Sequence, residues 1–272
     1  MPVALLQRDA DSLARAAPGT TGLASMPGPL PLPLPMPLPT RRPCQLSQRC
    51  PPCASLVPSS PDLDRLVSVR RRCFTGDVLC REGESFHSLF ALCSGSMKAV
   101  VALPNGREQV TNFLLAGDLV ALDAIASGRH TRTVTAIEDT RLCVIDYRSL
   151  RSISDIGSPL LPQHALSRQL SLEITRTHRM MLLLGCMNAQ ERLAAFLLDL
   201  SHRTRFEGLP ACDLTLRMSR VEIGSFLGLS LETVSRTFSL FQRQGLVTVN
   251  NRCIRLHDRD LFATRFEAVL QG

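Results

Sequence analysis

Two hydroxyl residues placed to open helices, Ser219 and Ser230, with Gly228 between them, narrow what the C-terminal part of this chain can fold into. Ser219-Arg-Val-Glu222 has the form of a capping box, in which a hydroxyl accepts from the backbone three residues on and a carboxylate reaches back. The helix it opens has Val221, Ile223, Phe226 and Leu227 as its expected buried face. Gly228 stops that helix, because glycine enters the left-handed C-cap conformation without steric cost. Leu229 plugs the gap, and Ser230 caps a second helix, Leu231–Gln244, with Val234 and Phe238 pointing inward. Two short helices joined by a tight turn form a helix-turn-helix, whose second helix enters the major groove of DNA. The exposed start of that helix carries Glu232, Ser235 and Arg236. A carboxylate accepts from cytosine, a guanidinium binds guanine through two parallel hydrogen bonds, and a hydroxyl reaches base or phosphate. Ser219, Arg220, Ser230 and Thr233 complete the set of expected DNA contacts. Leu246–Val249 and Ile254–Leu256, joined at Asn250-Asn251, read as a hairpin wing that brings Arg252 and Arg255 to phosphates. Many helical hairpins bind nothing, but here cap, turn, polar face and wing agree.

Upstream the texture is different. From Leu63 to Tyr147, short apolar runs alternate with Gly76, Gly83, Gly95, Gly106, Gly117 and Gly128. Ser88–Cys93, Met97–Leu103 and Leu142–Asp146 read as strands, and Pro104-Asn105-Gly106 as a hairpin turn. Turns at this spacing predict a small antiparallel barrel or sandwich. Between the two parts, Leu166, Leu170, Ile174 and Met181 recur at helical spacing. A helix of that length suits a two-stranded dimer seam, and its stripe also suits packing on the chain's own barrel. A second helix, Ala189–Arg203, follows. At the other end, MPGPLPLPLPMPLPT over 26–40 excludes helix and central strand and predicts an extended or disordered arm over 1–43.

Composition narrows the function classes. The net charge is +7, carried almost wholly by arginine, since Lys98 is the only lysine. That balance suits a polyanion partner, although codon bias in a GC-rich genome also produces an arginine skew. With no Trp and a single Tyr, Tyr147, aromatic stacking on single strands has little support. No apolar run spans a bilayer, and Asp9 and Asp11 interrupt any signal-peptide core, so a cytoplasmic protein without membrane association is expected. No phosphate loop, zinc-protease motif or nucleophile elbow points to an enzyme.

The stretches Ala116–Ile125, Asn188–Phe196 and Glu222–Arg236 resemble the FNR branch of the CRP/FNR superfamily of transcription regulators, over about Leu63–Leu256. The resemblance implies an α+β fold: an N-terminal β-roll sensor domain of the cyclic-nucleotide-binding kind, a long dimerisation helix and a C-terminal winged helix-turn-helix. The expected domains are an arm over 1–43, a cysteine loop and β-roll over 44–158, the dimerisation helix over 159–187, and the DNA-binding domain over 188–272. The family's E-x-x-S-R signature falls on Glu232, Ser235 and Arg236 and implies a homodimer on a TTGAT-N4-ATCAA-like palindrome in double-stranded DNA. It also implies RNA polymerase as a partner, with the Asn105–Glu108 loop as a contact.

The superfamily offers two sensing chemistries. A cyclic-nucleotide cassette needs a Gly-Glu pair where this chain has Ala121-Leu122, leaving Arg132-Thr133 as one half of a site. The FNR branch instead holds an oxygen-labile [4Fe-4S] cluster, and the resemblance places its ligands on Cys44, Cys50, Cys53 and Cys143. Soft thiolates suit such a cluster. The spacing C-x5-C-x2-C inverts the usual order, and Thr177 stands where FNR-like dimer helices carry an acidic residue. The residues alone also allow a zinc tetrathiolate, a redox dithiol at Cys50-x-x-Cys53, or idle thiols. The remaining cysteines, Cys73, Cys80, Cys93, Cys186, Cys212 and Cys253, read as packing or surface residues.

Overall fold

The computed structural model describes residues 67–150, 160–204, 213–257 and 262. The arm over 1–43 and three of the expected ligands, Cys44, Cys50 and Cys53, lie outside the described residues.

Eight strands build the first part: β1 (Val67–Cys73), β2 (Val78–Cys80), β3 (Ser88–Ser94), β4 (Ser96–Ala102), β5 (Glu108–Leu115), β6 (Leu119–Val120), β7 (Thr133–Ala136) and β8 (Thr140–Asp146). They form two four-stranded antiparallel sheets, ordered β1-β8-β3-β6 and β2-β7-β4-β5. One core serves both: Leu89, Ala91 and Leu92 of β3 and Leu142 of β8 meet Met97 of β4 and Leu114 of β5. The β4–β5 turn is the expected Pro104-Asn105-Gly106, closed by a hydrogen bond from the Leu103 amide to the Arg107 carbonyl at 2.8 Å.

Helix α1 (Leu160–Cys186) follows, then α2 (Ala189–Thr204). At about 1.5 Å per residue, the 27 residues of α1 make it roughly 40 Å long. Its apolar residues divide between faces. Leu166 and Leu170 pack against the roll core, whereas Met180 and Leu183 join a second core around α2. Ile174 and Met181 stay 55% and 67% exposed. The four residues read from the sequence as one stripe therefore do two jobs, two facing the roll and two facing outward. Asn188 caps α2, its side-chain oxygen accepting from the Gln190 and Glu191 amides at 2.9 and 3.1 Å, while Glu191 accepts from the Asn188 amide at 2.8 Å.

The second core crosses the domain boundary. Val100, Val110, Phe113 and Leu115 of the roll pack with Leu193, Phe196 and Leu197 of α2 and with the C-terminal elements. Beside this apolar seam lies a buried charge, Asp118, in the β5–β6 turn. Its carboxylate accepts from Arg176 of α1 at 3.0 Å, from the Leu115 amide at 2.9 Å, and from Arg203 of α2. Arg203 also donates to the Phe113 carbonyl at 2.9 Å. Two buried or half-buried guanidiniums thus share one carboxylate, with longer second contacts from Arg203 to Asp199 at 3.4 Å and from Arg176 to Glu173 at 3.8 Å. Asp118→Asn should lower unfolding free energy by about 1–3 kcal/mol, less than the cost of an uncompensated buried charge, because Arg203 keeps Asp199 and Arg176 keeps Glu173. Urea unfolding measures it, and a loss below about 1 kcal/mol would mean that water compensates the two arginines.

Candidate nucleic-acid interface

The C-terminal elements are β9 (Asp213–Thr215), α3 (Arg220–Leu227), α4 (Leu231–Arg243), β10 (Val247–Asn250) and β11 (Cys253–Leu256). Helix α3 opens as its sequence requires. Ser219 accepts from the Glu222 amide at 3.2 Å, and Glu222 accepts from the Ser219 amide at 2.7 Å. Gly228 closes it at φ 64°, in the left-handed region. The turn is tighter than the capping pattern alone demands. The Leu229 amide donates back to the Gly224 carbonyl at 2.9 Å, and a Cβ on Gly224 would lie 2.6 Å from the Leu229 carbonyl oxygen. Only glycine lets the two backbones approach this closely. Ser230 then caps α4 by accepting from the Thr233 amide at 3.1 Å.

Helix α4 is sharply two-sided. Val234, Thr237, Phe238 and Phe241 are buried, while Glu232, Ser235, Arg236 and Ser239 are exposed along one face. The Glu232 carboxyl is held below its ordinary range, first by its own backbone N–H, then by Ser230, with attraction from Arg236. The structure thus brings the expected base-reading residues Glu232, Ser235 and Arg236 onto one solvent-facing surface. Ser219 and Ser230 are exposed at the two helix starts, and Thr233 is half-buried. Arg220 is placed differently: its guanidinium lies 3.5 Å from the ring centre of Phe238, and burial lowers its pKa. There it ties α3 to α4. Val221 also departs from the expected buried face of α3, being 61% exposed, because the helix turns Ile223, Gly224 and Leu227 inward instead.

The wing has three strands, ordered β10-β11-β9, where the sequence suggested a two-stranded hairpin. Asn250 pairs with Cys253, so the turn is Asn251-Arg252 and only Asn251 takes a positive φ, 56°. Arg252 and Arg255 are exposed on it.

Side chains that the sequence reading did not single out fix this unit to the rest. Arg192 of α2 donates to the carbonyls of Leu184 and Met187 at the end of α1 and of Leu227 at the end of α3, each at 2.9–3.0 Å. One guanidinium therefore satisfies orphan carbonyls of two helices. Lys98 of β4 reaches Glu222 at 2.7 Å, Ser225 accepts from the Val110 amide at 2.9 Å, and Gln109 donates to the Ser225 carbonyl. Burial alone would raise the Glu222 carboxyl, but the hydrogen bonds from Lys98 and Ser219 outweigh it and hold the group below its ordinary value. Phe113, Phe196 and Phe226 close the seam as three rings with centroids 5.1–6.0 Å apart. Local patterning could not reveal such partners, which lie up to 124 residues apart.

In the roll, Cys143 sits on β8 with only 1% of its surface exposed. Its sulfur lies 3.4 Å from that of Cys93 on β3, a residue the sequence reading left to packing. Among the described residues no group of three or more His, Cys, Asp or Glu is disposed to hold a metal ion. Arg132 is committed to carboxylates, Asp123 at 3.0 Å and Glu173 of α1 at 3.7 Å, and Ala121 takes a left-handed φ of 74°.

A β-roll, a long helix and a winged helix-turn-helix with a polar outward face define a DNA-binding regulator, and comparison with known proteins agrees. Residues 70–155 match the cyclic nucleotide-binding domain and residues 191–264 the Crp-like helix-turn-helix domain. The transcriptional regulatory protein btr of Bordetella pertussis is 39% identical over 215 residues, 79% of this chain and 88% of that protein. The fumarate and nitrate reduction regulatory protein of Escherichia coli strain K12 is 37% identical over 220 residues, 81% of this chain and 87% of that protein. The structure of FixK2 from Bradyrhizobium japonicum superposes with a TM-score of 0.65 at 30% identity, over 72% of this chain and 96% of that one. The chain belongs to the CRP/FNR family, whose members are transcription regulators and not enzymes. No helix among the described residues is long and apolar enough to cross a membrane.

The turn geometry yields a test with a definite sign. Gly224→Ala would gain about 1 kcal/mol from helix propensity alone. Contact with the Leu229 carbonyl reverses this, and a net loss of about 1–3 kcal/mol is expected from overpacking. Thermal unfolding reads the sign, and a stabilised variant would show that the turn relaxes freely.

Proposed function

We propose that this regulator acts as a homodimer on a TTGAT-N4-ATCAA-like palindrome and responds to oxygen through a [4Fe-4S] cluster. The observation that carries the DNA half is the single outward face of α4 holding Glu232, Ser235 and Arg236. Arg236 would read guanine, Glu232 would accept from cytosine N4, and Ser235 would reach base or phosphate. Ser219, Ser230 and Thr233, with Arg252 and Arg255 of the wing, would position the backbone. Arg220 would support the interface from beneath, through Phe238.

The dimer reading is supported by α1. Ile174, Thr177, Met181 and Leu184 follow the alternating three- and four-residue spacing of a coiled-coil seam, whereas Leu166 and Leu170 are taken by the roll. Ile174, Thr177, Met181 and Leu184 are exposed in the single chain. Pairing two such helices would set two copies of α4 one helical turn of DNA apart. The Asn105–Glu108 loop is the surface assigned to RNA polymerase, and the cytoplasm is where this reading places the protein.

For the cluster, the donor chemistry fits: Cys44, Cys50, Cys53 and Cys143 are four thiols, the ligand type iron–sulfur clusters take. Bound there, it would supply a centre whose integrity depends on oxygen. The residues around Cys143 would carry the signal. β8 lies between β1 and β3, and Leu166 and Leu170 of α1 pack on the same core, so a change at Cys143 bears directly on the dimer helix. A nucleotide reading is disfavoured by Arg132, whose charge Asp123 and Glu173 already neutralise.

Arg236→Ala should weaken specific binding by about 1–3 kcal/mol, roughly 5- to 150-fold. Gel-shift titration on the palindrome checks this, and unchanged affinity removes Arg236 from the readout. Protein purified without air should contain about four iron and four sulfide per chain and lose its visible absorbance in air. Cys143→Ser should lack both, and a variant with full iron and sulfide content sinks the assignment of Cys143.

A further inference from the structure

We infer that Cys93 and Cys143 form an oxidisable dithiol, and that their disulfide withdraws Cys143 from cluster ligation. The second clause rests on the cluster reading above; the first does not.

The geometry is built into the sheet. Cys143 on β8 stands opposite Ala91 on β3, and Cys93 lies two residues further along β3. The register slips between Leu92 and Ser94, so the β3 backbone is irregular where Cys93 sits. The two sulfurs lie 3.4 Å apart, each near enough to be the other's hydrogen-bond partner. A disulfide needs about 2.05 Å, so closing it takes a movement of about 1.4 Å, within reach of side-chain rotation in strands already paired. The two thiols also differ in access. Cys93 is half-buried, while Cys143 is sealed in the core. Cys93 is therefore the sulfur a small oxidant meets first.

The oxidant is a peroxide. The Cys93 sulfur attacks one peroxide oxygen, the O–O bond breaks, and the departing oxygen leaves as water with the thiol proton. Cys93 is then a sulfenic acid. The Cys143 sulfur attacks the Cys93 sulfur, the S–O bond breaks, and the sulfenic oxygen leaves as a second water with the proton from Cys143. Two thiols have become one disulfide and hydrogen peroxide two waters. A metal ligand must be a thiolate, so Cys143 in this state is no longer one. Reduction of the disulfide restores it.

The test uses the full chain, reduced, freed of reductant and titrated with hydrogen peroxide. The remaining thiols are then alkylated and the protein is digested with trypsin. Cleavage after Arg81, Lys98, Arg141 and Arg148 places the two cysteines alone on separate peptides, 82–98 and 142–148. The expected result is a linked pair of these peptides that a phosphine reductant abolishes and that Cys93→Ser cannot form. The oxidised chain, given ferrous iron and limiting sulfide with no thiol or phosphine reductant, should take up several-fold less iron than the reduced chain. Cys93→Ser treated in the same way should keep its uptake. Absence of the linked pair, while other cysteines oxidise, overturns the dithiol. An equal loss of iron uptake in Cys93→Ser overturns the withdrawal of Cys143 while leaving the linked pair to stand. If fully reduced wild-type chain takes up no iron and sulfide, it is the cluster reading that fails, and the linked peptides still decide the dithiol.

Discussion

The architecture depends on one dock, where strand β5 meets helices α2 and α3. Three phenylalanine rings fill it, Phe113 from the roll, Phe196 from α2 and Phe226 from α3. Aromatic pairs of this kind contribute about 0.5–1.5 kcal/mol each beyond the area they bury. At one edge of the seam, Asp118 holds Arg176 and Arg203. At the other, Lys98 holds Glu222 and Ser225 accepts from the Val110 amide. The apolar centre supplies most of the attraction, and the charged and hydrogen-bonded rim fixes orientation. Without this dock the roll and the winged helix would be two domains joined only through α1.

The same dock explains how one part of the molecule can inform another. Coupling between distant sites needs a shared element whose position both sites bias. Helix α1 meets that description along its length. Leu166 and Leu170 rest on the roll core, Arg176 joins Asp118, Leu183 enters the second core, and the last carbonyls are held by Arg192. Arg192 holds the end of α3 as well, so α1 and the helix-turn-helix share a fastening. A shift of α1 relative to the roll therefore has a short route to α4, through packed side chains and one guanidinium.

The roll has the architecture of a nucleotide-binding domain with its charges used for something else. Arg132 is drawn to Asp123 of the roll and Glu173 of α1, and Asn112 donates to the same Glu173 at 3.1 Å. Asp123 is further engaged by the backbone and hydroxyl of Thr131; those hydrogen bonds and Arg132 outweigh its burial and keep its carboxyl below the ordinary range. The charge of Arg132 instead bolts the roll to α1. The chemistry left on the β8 side of the roll is that of thiols, Cys143 with Cys93 beside it.

Local chemistry was enough to read much of this from the sequence. Ser219, Gly228 and Ser230 act within one or two turns of backbone, so the helix-turn-helix followed almost residue by residue. Pro104-Asn105-Gly106 likewise marked its hairpin, because a turn's conformation is set by its own residues. The candidate reading face was legible for the same reason, since helical periodicity separates Glu232, Ser235 and Arg236 from Val234 and Phe238. Tertiary structure decided what periodicity leaves open. It sent Leu166 and Leu170 to the roll and left Ile174 and Met181 outward, because which stripe of a long helix is covered depends on what packs beside it. It turned Val221 out, laid Arg220 over Phe238, and added β9 to the wing. It also paired Lys98 with Glu222, joined Asp118 to Arg176 and Arg203, and brought Cys93 against Cys143. Those partners are far apart in the chain, and no local rule of spacing reaches across the closure of two sheets and the docking of two domains.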